Sequence, residues 1–327
     1  MILVTGGAGF IGSNLVATLA ADGRDVVVSD RLRSGDKWRN LAKSRCREIV
    51  PPEALAGWLE AEGDGLDAIV HMGAISSTTE RDADLTYEVN VRLSWSLWRW
   101  CAAHRRPFVY ASSAATYGDG TAGFDDDSSP AVLARLRPLN AYGWSKLVFD
   151  RRVAEWVTAG GAAPPQWAGL RFFNVYGPNE YHKGSMQSVV AQRFAAAATG
   201  EPIVLFESHD PRYEHGGQLR DFVYVDDCVA VVRWLLAPQA PSGIFNVGSG
   251  HARSFADLAR ALCVATGREP RITYVPMPES IRPNYQYFTE ARLDRLRAAG
   301  YSRATVPLED GVREYVQHFL SQRDRYR

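Results

Sequence analysis

The chain opens on Met1-Ile-Leu-Val-Thr5-Gly6-Gly7-Ala8-Gly9-Phe10-Ile11-Gly12, and the reading of this stretch decides the fold. A short apolar run feeds a glycine-rich turn, and a helical apolar pattern follows through about Leu19. Gly6 and Gly9 permit a tight turn and close backbone approach to a pyrophosphate. Gly12 lets helix and strand pack closely, and the helix N-terminus offers amide donors and a positive dipole end. A plain glycine-rich strand-to-helix turn looks the same over these residues alone. The context that separates the two is a second apolar run, Asp25-Val-Val-Val-Ser29, ending in Asp30, the acidic residue expected at an adenosine ribose.

Working outward, Glu48–Val50, Ala68–His71 and Pro107–Tyr110 read as strands, separated by helical patterns over Glu53–Ala61 and Thr86–Ala103. That alternation predicts a parallel sheet with helices on both faces. A further helix runs to about Thr158, a Gly/Ala/Pro loop covers Ala159–Pro165, and a strand ends at Phe173. Beyond it, loops lengthen and Tyr176, Pro178, Tyr181, Pro211 and Tyr213 accumulate. The expected architecture is an α/β, doubly wound, Rossmann-like parallel sheet. Residues 1–173 are expected to be mainly an NAD(P)-binding domain. Residues 174–327 are expected to be mainly a smaller C-terminal substrate-binding lobe, with some later segments returning to the first domain. Trp95, Trp98 and Trp100 lie at helical spacing and read equally as core or as an oligomer face.

Lys plus Arg equals Asp plus Glu at 37 each, so no overall field argues for nucleic acid or an anionic membrane, and any anion site must be local. The sequence shows neither a signal peptide nor an apolar run long enough to span a bilayer, and a cytoplasmic protein is expected. Cys46, Cys101, Cys228 and Cys263 have no metal-ligand spacing, fit a reducing compartment and read as packing residues. No metal site is expected.

The chemistry is carried by Asn140-Ala-Tyr142-Gly-Trp-Ser-Lys146, which puts a phenol and an ammonium on one helix face. A tyrosine becomes a proton acceptor near neutrality only if its pKa falls by about 3 units, roughly 4 kcal/mol, and Lys146 is expected to supply part of that. The plain alternative is an amphipathic helix with Tyr and Lys four apart. Ser113 weighs against it: it lies in Ala111-Ser-Ser-Ala-Ala-Thr-Tyr117, a turn expected to leave the carboxyl end of a central strand, where ligands of parallel sheets sit. A hydroxyl there can hydrogen-bond a carbinol or carbonyl while the phenol moves its proton.

Glycine turn, Ser113 and Tyr142-x-x-x-Lys146 in this order resemble the extended short-chain dehydrogenase/reductases. Ser76-Ser-Thr-Thr-Glu80, Phe173-Asn-Val-Tyr-Gly-Pro178, His182-Lys-Gly-Ser-Met186 and Arg220-Asp-Phe-Val-Tyr-Val-Asp226 are similar to one branch, the ADP-glyceromanno-heptose 6-epimerases of lipopolysaccharide core synthesis. The resemblance implies an isomerase that oxidises and re-reduces C6 of an ADP-heptose with a retained nicotinamide. By it, Tyr142 is the base for one epimer and Lys183 the second acid/base. Lys146 holds the nicotinamide ribose and tunes Tyr142, and Ser113 polarises the C6 oxygen. Phe10, Ile11, Asp30, Arg31, Lys37, Asn90 and Val175 match cofactor positions, and Gly6, Gly9, Gly12, Met72, Gly73, Ala74, Ile75 and Ser76 are expected to line the same cofactor cleft. Asn174, Ser185, Gln192, Phe206, Glu207, Arg220 and Tyr285 match ADP-sugar positions. It also implies a homo-oligomer, a pentamer being one form.

Asp30 favours NAD, whereas Arg31 and Lys37 can offset its charge and grip a 2′-phosphate, so NADP is expected to be preferred with NAD usable. Met72-Gly-Ala-Ile75 departs from the family, which usually has an acidic residue and a cysteine there. The Glu207–Gln218 stretch, with His209 and His215, reads as a solvated flexible loop or a lid rather than a metal site, and is longer than in typical relatives. A nucleotide-sugar 4-epimerase or 4,6-dehydratase is the alternative enzyme; a dehydratase would want an acidic pair beside Ser113, where Ala114 and Ala115 stand. A non-catalytic NAD(P)-sensing protein is the third reading, and such proteins typically lose the Tyr/Lys pair.

Overall fold

The computed structural model describes residues 1–279, 281–282 and 285–327. Among them the strands are, in chain order, β1 (Ile2–Thr5), β2 (Val26–Ser29), β3 (Glu48–Val50), β4 (Ala68–His71), β5 (Phe108–Ser113), β6 (Trp167–Phe172), β7 (Asn174–Tyr176), β8 (Ile203–Phe206), β9 (Leu219–Tyr224), β10 (Gly243–Val247), β11 (Ala252–Ser254) and β12 (Ile272–Val275). Seven of them form one sheet in the order β10-β6-β5-β4-β1-β2-β3. All its pairings are parallel. The apolar runs of β1, β2 and β4 are buried along their whole length, as expected where helices cover both faces. The strand order reverses between β1 and β4, which opens a crevice beyond their carboxyl ends.

β5 continues three residues past the apolar run, so Ser113 ends the strand rather than lying in a turn beyond it. Ser112 is accommodated in the buried ladder because its hydroxyl donates to the buried Asp150 carboxylate at 2.9 Å. The helix expected over Thr86–Ala103 is instead divided into Ala83–Tyr87, a wider π turn at Glu88–Arg92, and Leu93–Ala103. Trp98 is fully buried and stands edge-on to Trp167 at 5.4 Å, and Trp95 is buried beside it. Core packing therefore accounts for these two. Trp100 is half-buried and covers Gly63, where a Cβ would meet its ring at 2.4 Å.

The later chain builds a three-stranded sheet, β11-β9-β7, and a β12-β8 pair. These pack with Tyr176, Tyr224, Leu258, Leu262, Val312 and Tyr315 into a second apolar core. Helix Phe255–Ala265 starts at a reciprocal cap in which Ser254 and Asp257 bond each other's backbone N–H. β10 returns to the first sheet, beside β6. All four cysteines are free thiols, and Cys101, Cys228 and Cys263 are buried packing residues. No helix among the described residues is long and apolar enough to cross a membrane.

Candidate active site

The glycine turn is built by steric necessity. Gly6 has φ +65°, and a Cβ there would stand 2.6 Å from the Gly73 backbone; a Cβ on Gly12 would stand 2.1 Å from the Gly6 carbonyl oxygen. Gly9 caps helix Phe10–Ala21 without a side-chain bond to the helix start. The amides of Phe10 and Ile11 thus remain directed outward at the positive end of the helix dipole. This turn, which side chains at Gly6 or Gly12 would force open, fits a dinucleotide pyrophosphate. Ile11 and Val175 pack against both apolar cores at the seam between the sheets.

At the end of β2 the Asp30 carboxylate accepts from the Ala8 and Arg31 amides at 2.9 and 2.7 Å and pairs with Lys37 Nζ at 2.5 Å. Lys37 is therefore placed to offset Asp30. The Arg31 guanidinium turns away into an exposed pair with Glu53. At the end of β4, Met72, Gly73, Ala74 and Ile75 are half-buried and Ser76 is exposed. Asn90, fully buried in the π turn, exchanges two bonds with the Ile75 backbone at 2.9 Å and donates to Ser145 Oγ at 2.9 Å. Its carboxamide thereby ties the β4 loop to the helix that carries Tyr142 and Lys146.

That helix, Ala141–Thr158, is capped by Asn140 Oδ1 accepting from the Gly143 amide. Gly143 lets it approach the turn after β5, since a Cβ would lie 2.6 Å from the Ala115 carbonyl oxygen. Tyr142 and Ser113 therefore share one corner of the crevice. Burial holds the Tyr142 phenol above its usual pKa, with the Ser113 hydroxyl opposing. The lowering expected from Lys146 is not delivered by the protein alone. Its ammonium is turned to the β5 carbonyl of Ala111 at 2.8 Å, and burial brings its own pKa down to about 8, with Asp150 opposing.

Several supporting residues carried no sequence signal. His71 bonds Thr5 Oγ1 through Nδ1 at 2.6 Å and Ser94 Oγ through Nε2 at 2.8 Å. Ser94 donates onward to the Asn90 carbonyl, so His71 carries its proton on Nε2 and accepts at Nδ1. Burial and the charge of Lys146 push its pKa down to about 3. Asn40 donates to the carbonyls of Ala8 and Asn179, joining the glycine turn to the segment that leads to Lys183. On the far side of the β5 turn, Tyr117 donates to Asn246 Oδ1 at 2.6 Å, and Asn246 donates to the Phe124 carbonyl.

Lys183 is half-buried in the short turn Tyr181–Met186, with Nζ 5.1 Å over the ring of Phe10. Burial lowers its pKa, with Glu180 opposing. Ser185 and Gln192 are exposed, and Gln192 Nε2 donates to the Ser185 carbonyl at 3.1 Å. Asn174 is exposed at the start of β7, on the carboxyl side of β6. Phe206 ends β8 and Glu207 follows it, and both offer their carbonyls to Gln218 Nε2. Arg220 is 7 % exposed. Its guanidinium lies 5.1 Å over the Tyr285 ring and donates to the Leu219 carbonyl at 2.9 Å, and the charges acting on it among the described residues are those of Tyr285 and Tyr213 rather than a carboxylate. The Glu207–Gln218 stretch is less free than expected. His209 accepts from the Met277 amide, its own amide donates to Tyr287 Oη, and the ring of Tyr213 lies 5.3 Å from that of Tyr287. No group of three or more His, Cys, Asp or Glu suited to a metal occurs among the described residues.

Residues 2–248 match the NAD dependent epimerase/dehydratase family. The chain is 48% identical over 330 residues to ADP-L-glycero-D-manno-heptose-6-epimerase of Nitratidesulfovibrio vulgaris, covering 100% of both. It is 43% identical over 335 residues to that of Fusobacterium nucleatum, again covering 100% of both. The chain belongs to the ADP-L-glycero-D-manno-heptose-6-epimerase branch of the NAD-dependent epimerases. Among solved structures, the Helicobacter pylori ADP-L-glycero-D-manno-heptose-6-epimerase superimposes with TM-score 0.79 at 30% identity, over 97% of this chain and 95% of that one. The Thermus thermophilus UDP-glucose 4-epimerase, solved with NAD, follows at TM-score 0.75 and 28% identity over 97% and 98%. Membership of this epimerase branch agrees with a crevice whose glycine turn fits a dinucleotide and whose rim carries a phenol and an amine.

Proposed function

We propose that this chain interconverts ADP-D-glycero-D-manno-heptose and ADP-L-glycero-D-manno-heptose by transient oxidation at C6″, retaining NADP, with NAD usable, and so serves lipopolysaccharide core synthesis in the cytoplasm. The observation that carries the reading is the presence of two tunable proton carriers on different walls: Tyr142 on the helix beside Ser113, and Lys183 on a later turn over Phe10. One fixed base cannot serve both C6 configurations when the hydroxyls project in different directions.

A bound nicotinamide nucleotide supplies the reversible oxidation of the carbinol. Tyr142 accepts and returns the proton of one epimer, and Lys183 that of the other, its amine made available by burial. Ser113 donates to the C6 oxygen, and Lys146 holds the nicotinamide ribose. The glycine turn, Asp30, Lys37 and the 72–76 loop seat the dinucleotide. In the lobe formed mainly by residues 174–327, Arg220 takes the ADP diphosphate, and Asn174, Ser185, Gln192, Phe206, Glu207 and Tyr285 frame the sugar nucleotide. The working form is a homo-oligomer.

The test is to incubate the purified protein with ADP-D-glycero-D-manno-heptose and, separately, UDP-glucose, following the sugar by NMR and identifying any retained nucleotide by mass spectrometry. Conversion of the ADP-heptose alone supports the proposal. Epimerised UDP-glucose with unchanged ADP-heptose assigns a 4-epimerase instead, and turnover of neither assigns a cofactor-sensing role.

A further inference from the structure

Behind the catalytic face lies a buried charge cluster that the reaction as described does not use. Asp150 is one helical turn beyond Lys146, on the same face of helix Ala141–Thr158. It is fully buried, as is Arg171 of β6. Arg171 Nε donates to Asp150 Oδ2 at 3.0 Å, and Nη2 lies 3.0 Å from the same oxygen in an ion pair without hydrogen-bond geometry. From β5, Ser112 donates to Oδ2 at 2.9 Å and Tyr110 to Oδ1 at 3.2 Å. Gly169 of β6 makes room for this, since a Cβ there would collide with the Tyr110 ring at 2.4 Å. Ser112 follows Ala111, whose carbonyl accepts from the Lys146 ammonium. Consecutive residues of one strand thus hold the carboxylate and the ammonium in place, with the charge of Asp150 acting on Lys146 without a direct ion pair.

We infer that Asp150 is a positioning residue of the active site: the buried carboxylate, clamped by Arg171, Ser112 and Tyr110, holds Lys146 as an ammonium against the β5 carbonyl, ready for the nicotinamide ribose and for Tyr142. A buried lysine otherwise tends to lose its proton. Among the described residues, Asp150 is the anion that acts on Lys146. His71 of β4 is neutral and doubly bonded. Tyr142 is a phenol, and Asp126 acts on Arg171, which also lies over the Tyr117 ring. The arrangement explains why a fully buried carboxylate stands in this helix between two cations, where a hydrophobic side chain would pack more cheaply.

The inference rests on Lys146 being part of the site, so the test reads Lys146 directly, without substrate. In protein carrying 13C,15N-labelled lysine, the Lys146 side-chain resonance is assigned by its loss in Lys146→Met and titrated by NMR. Asp150→Asn is expected to move the Lys146 midpoint down by about one pH unit or more, as loss of an adjacent opposite charge does. Asp150→Glu is expected to restore it. In activity, the alkaline limb then moves to lower pH in Asp150→Asn and returns in Asp150→Glu. Because a lone buried Arg171 threatens folding, Asp150→Asn with Arg171→Met is made in parallel, and a lowered midpoint is expected there too. An unchanged Lys146 midpoint in either folded variant overturns the inference, whatever substrate the enzyme takes. A lowered midpoint in a protein inactive on ADP-heptose upholds it while sinking the functional reading.

Discussion

Replacing Lys37 by methionine tests the cofactor reading at its most exposed joint. Lys37 Nζ sits 2.5 Å from Asp30 Oδ1, with the two side chains 20% and 9% exposed. The mutation removes the cation that would meet a 2′-phosphate and unmasks the carboxylate that would repel it. A hydrogen bond between charged groups contributes about 1.5–3 kcal/mol, so NADP affinity should fall roughly 10- to 100-fold. NAD loses no phosphate contact, and its ribose hydroxyl can donate to the freed Asp30, so its affinity should change by no more than about threefold, under about 1 kcal/mol. The ion pair is largely buried, but the Asp30 carboxylate keeps its bonds from the Ala8 and Arg31 amides when Lys37 is lost, so the fold should lose about 1 kcal/mol, which for a chain of this length moves Tm by about 2 °C. The assay is calorimetric titration of cofactor-stripped protein with each nucleotide at one fixed moderate salt concentration, because screening changes the phosphate term. Equal losses for NAD and NADP, or an unchanged ratio, would refute the role given to Lys37. A wild type that binds NAD more tightly would show that Asp30 outweighs it.

Tyr142→Phe keeps the ring but removes the proton, so turnover should fall on the order of 100-fold or more with folding little changed; wild-type epimerisation would remove the central inference. Lys183→Met should abolish net epimerisation while NADP binding, read by fluorescence, stays intact, and the double variant should be hardly worse than either single one because both half-reactions are needed. Acid sensitivity should trace partly to His71, whose pKa drops to about 3 on folding from an ordinary 6.5. Between those values the unfolded chain binds a proton that the folded one refuses, so stability is lost as pH falls, by about 1.4 kcal/mol per unit. Urea unfolding at pH 7 and 5 should show a smaller difference in His71→Gln than in wild type, and an equal difference would exonerate the histidine.

The parts of this molecule that could be read in the sequence are those whose causes are local. Gly6 to Gly12 and Tyr142 to Lys146 are short stretches in which spacing alone dictates turn and helix face, and the alternating apolar runs placed six of the strands now in the main sheet. What spacing could not show is where a flexible side chain ends up. Lys146 reaches the Ala111 carbonyl rather than acting on Tyr142, so burial sets the direction of the phenol's shift. Contacts between distant segments were also invisible. Asn40 meets Asn179, His71 lies between Thr5 and Ser94, and His209 and Tyr213 find their partners beyond residue 276. β5 outran its apolar stretch because Asp150, distant in sequence, satisfies Ser112. Asp150 itself was within reach, since Tyr142, Lys146 and Asp150 repeat every four residues along one face.

β10 reaches the main sheet only after residues 173–242 have left it and returned, and its Asn246 anchors Tyr117 just past Ser113. A chain broken within Glu207–Gln218 would therefore yield two pieces, neither of which holds the whole sheet. The first would own Tyr142, Lys146 and Ser113 but lack the strand that steadies the Ser113 turn; the second would bring that strand with no catalytic group. Co-expressed, the halves would have to find each other along the β6 edge before the catalytic corner could set.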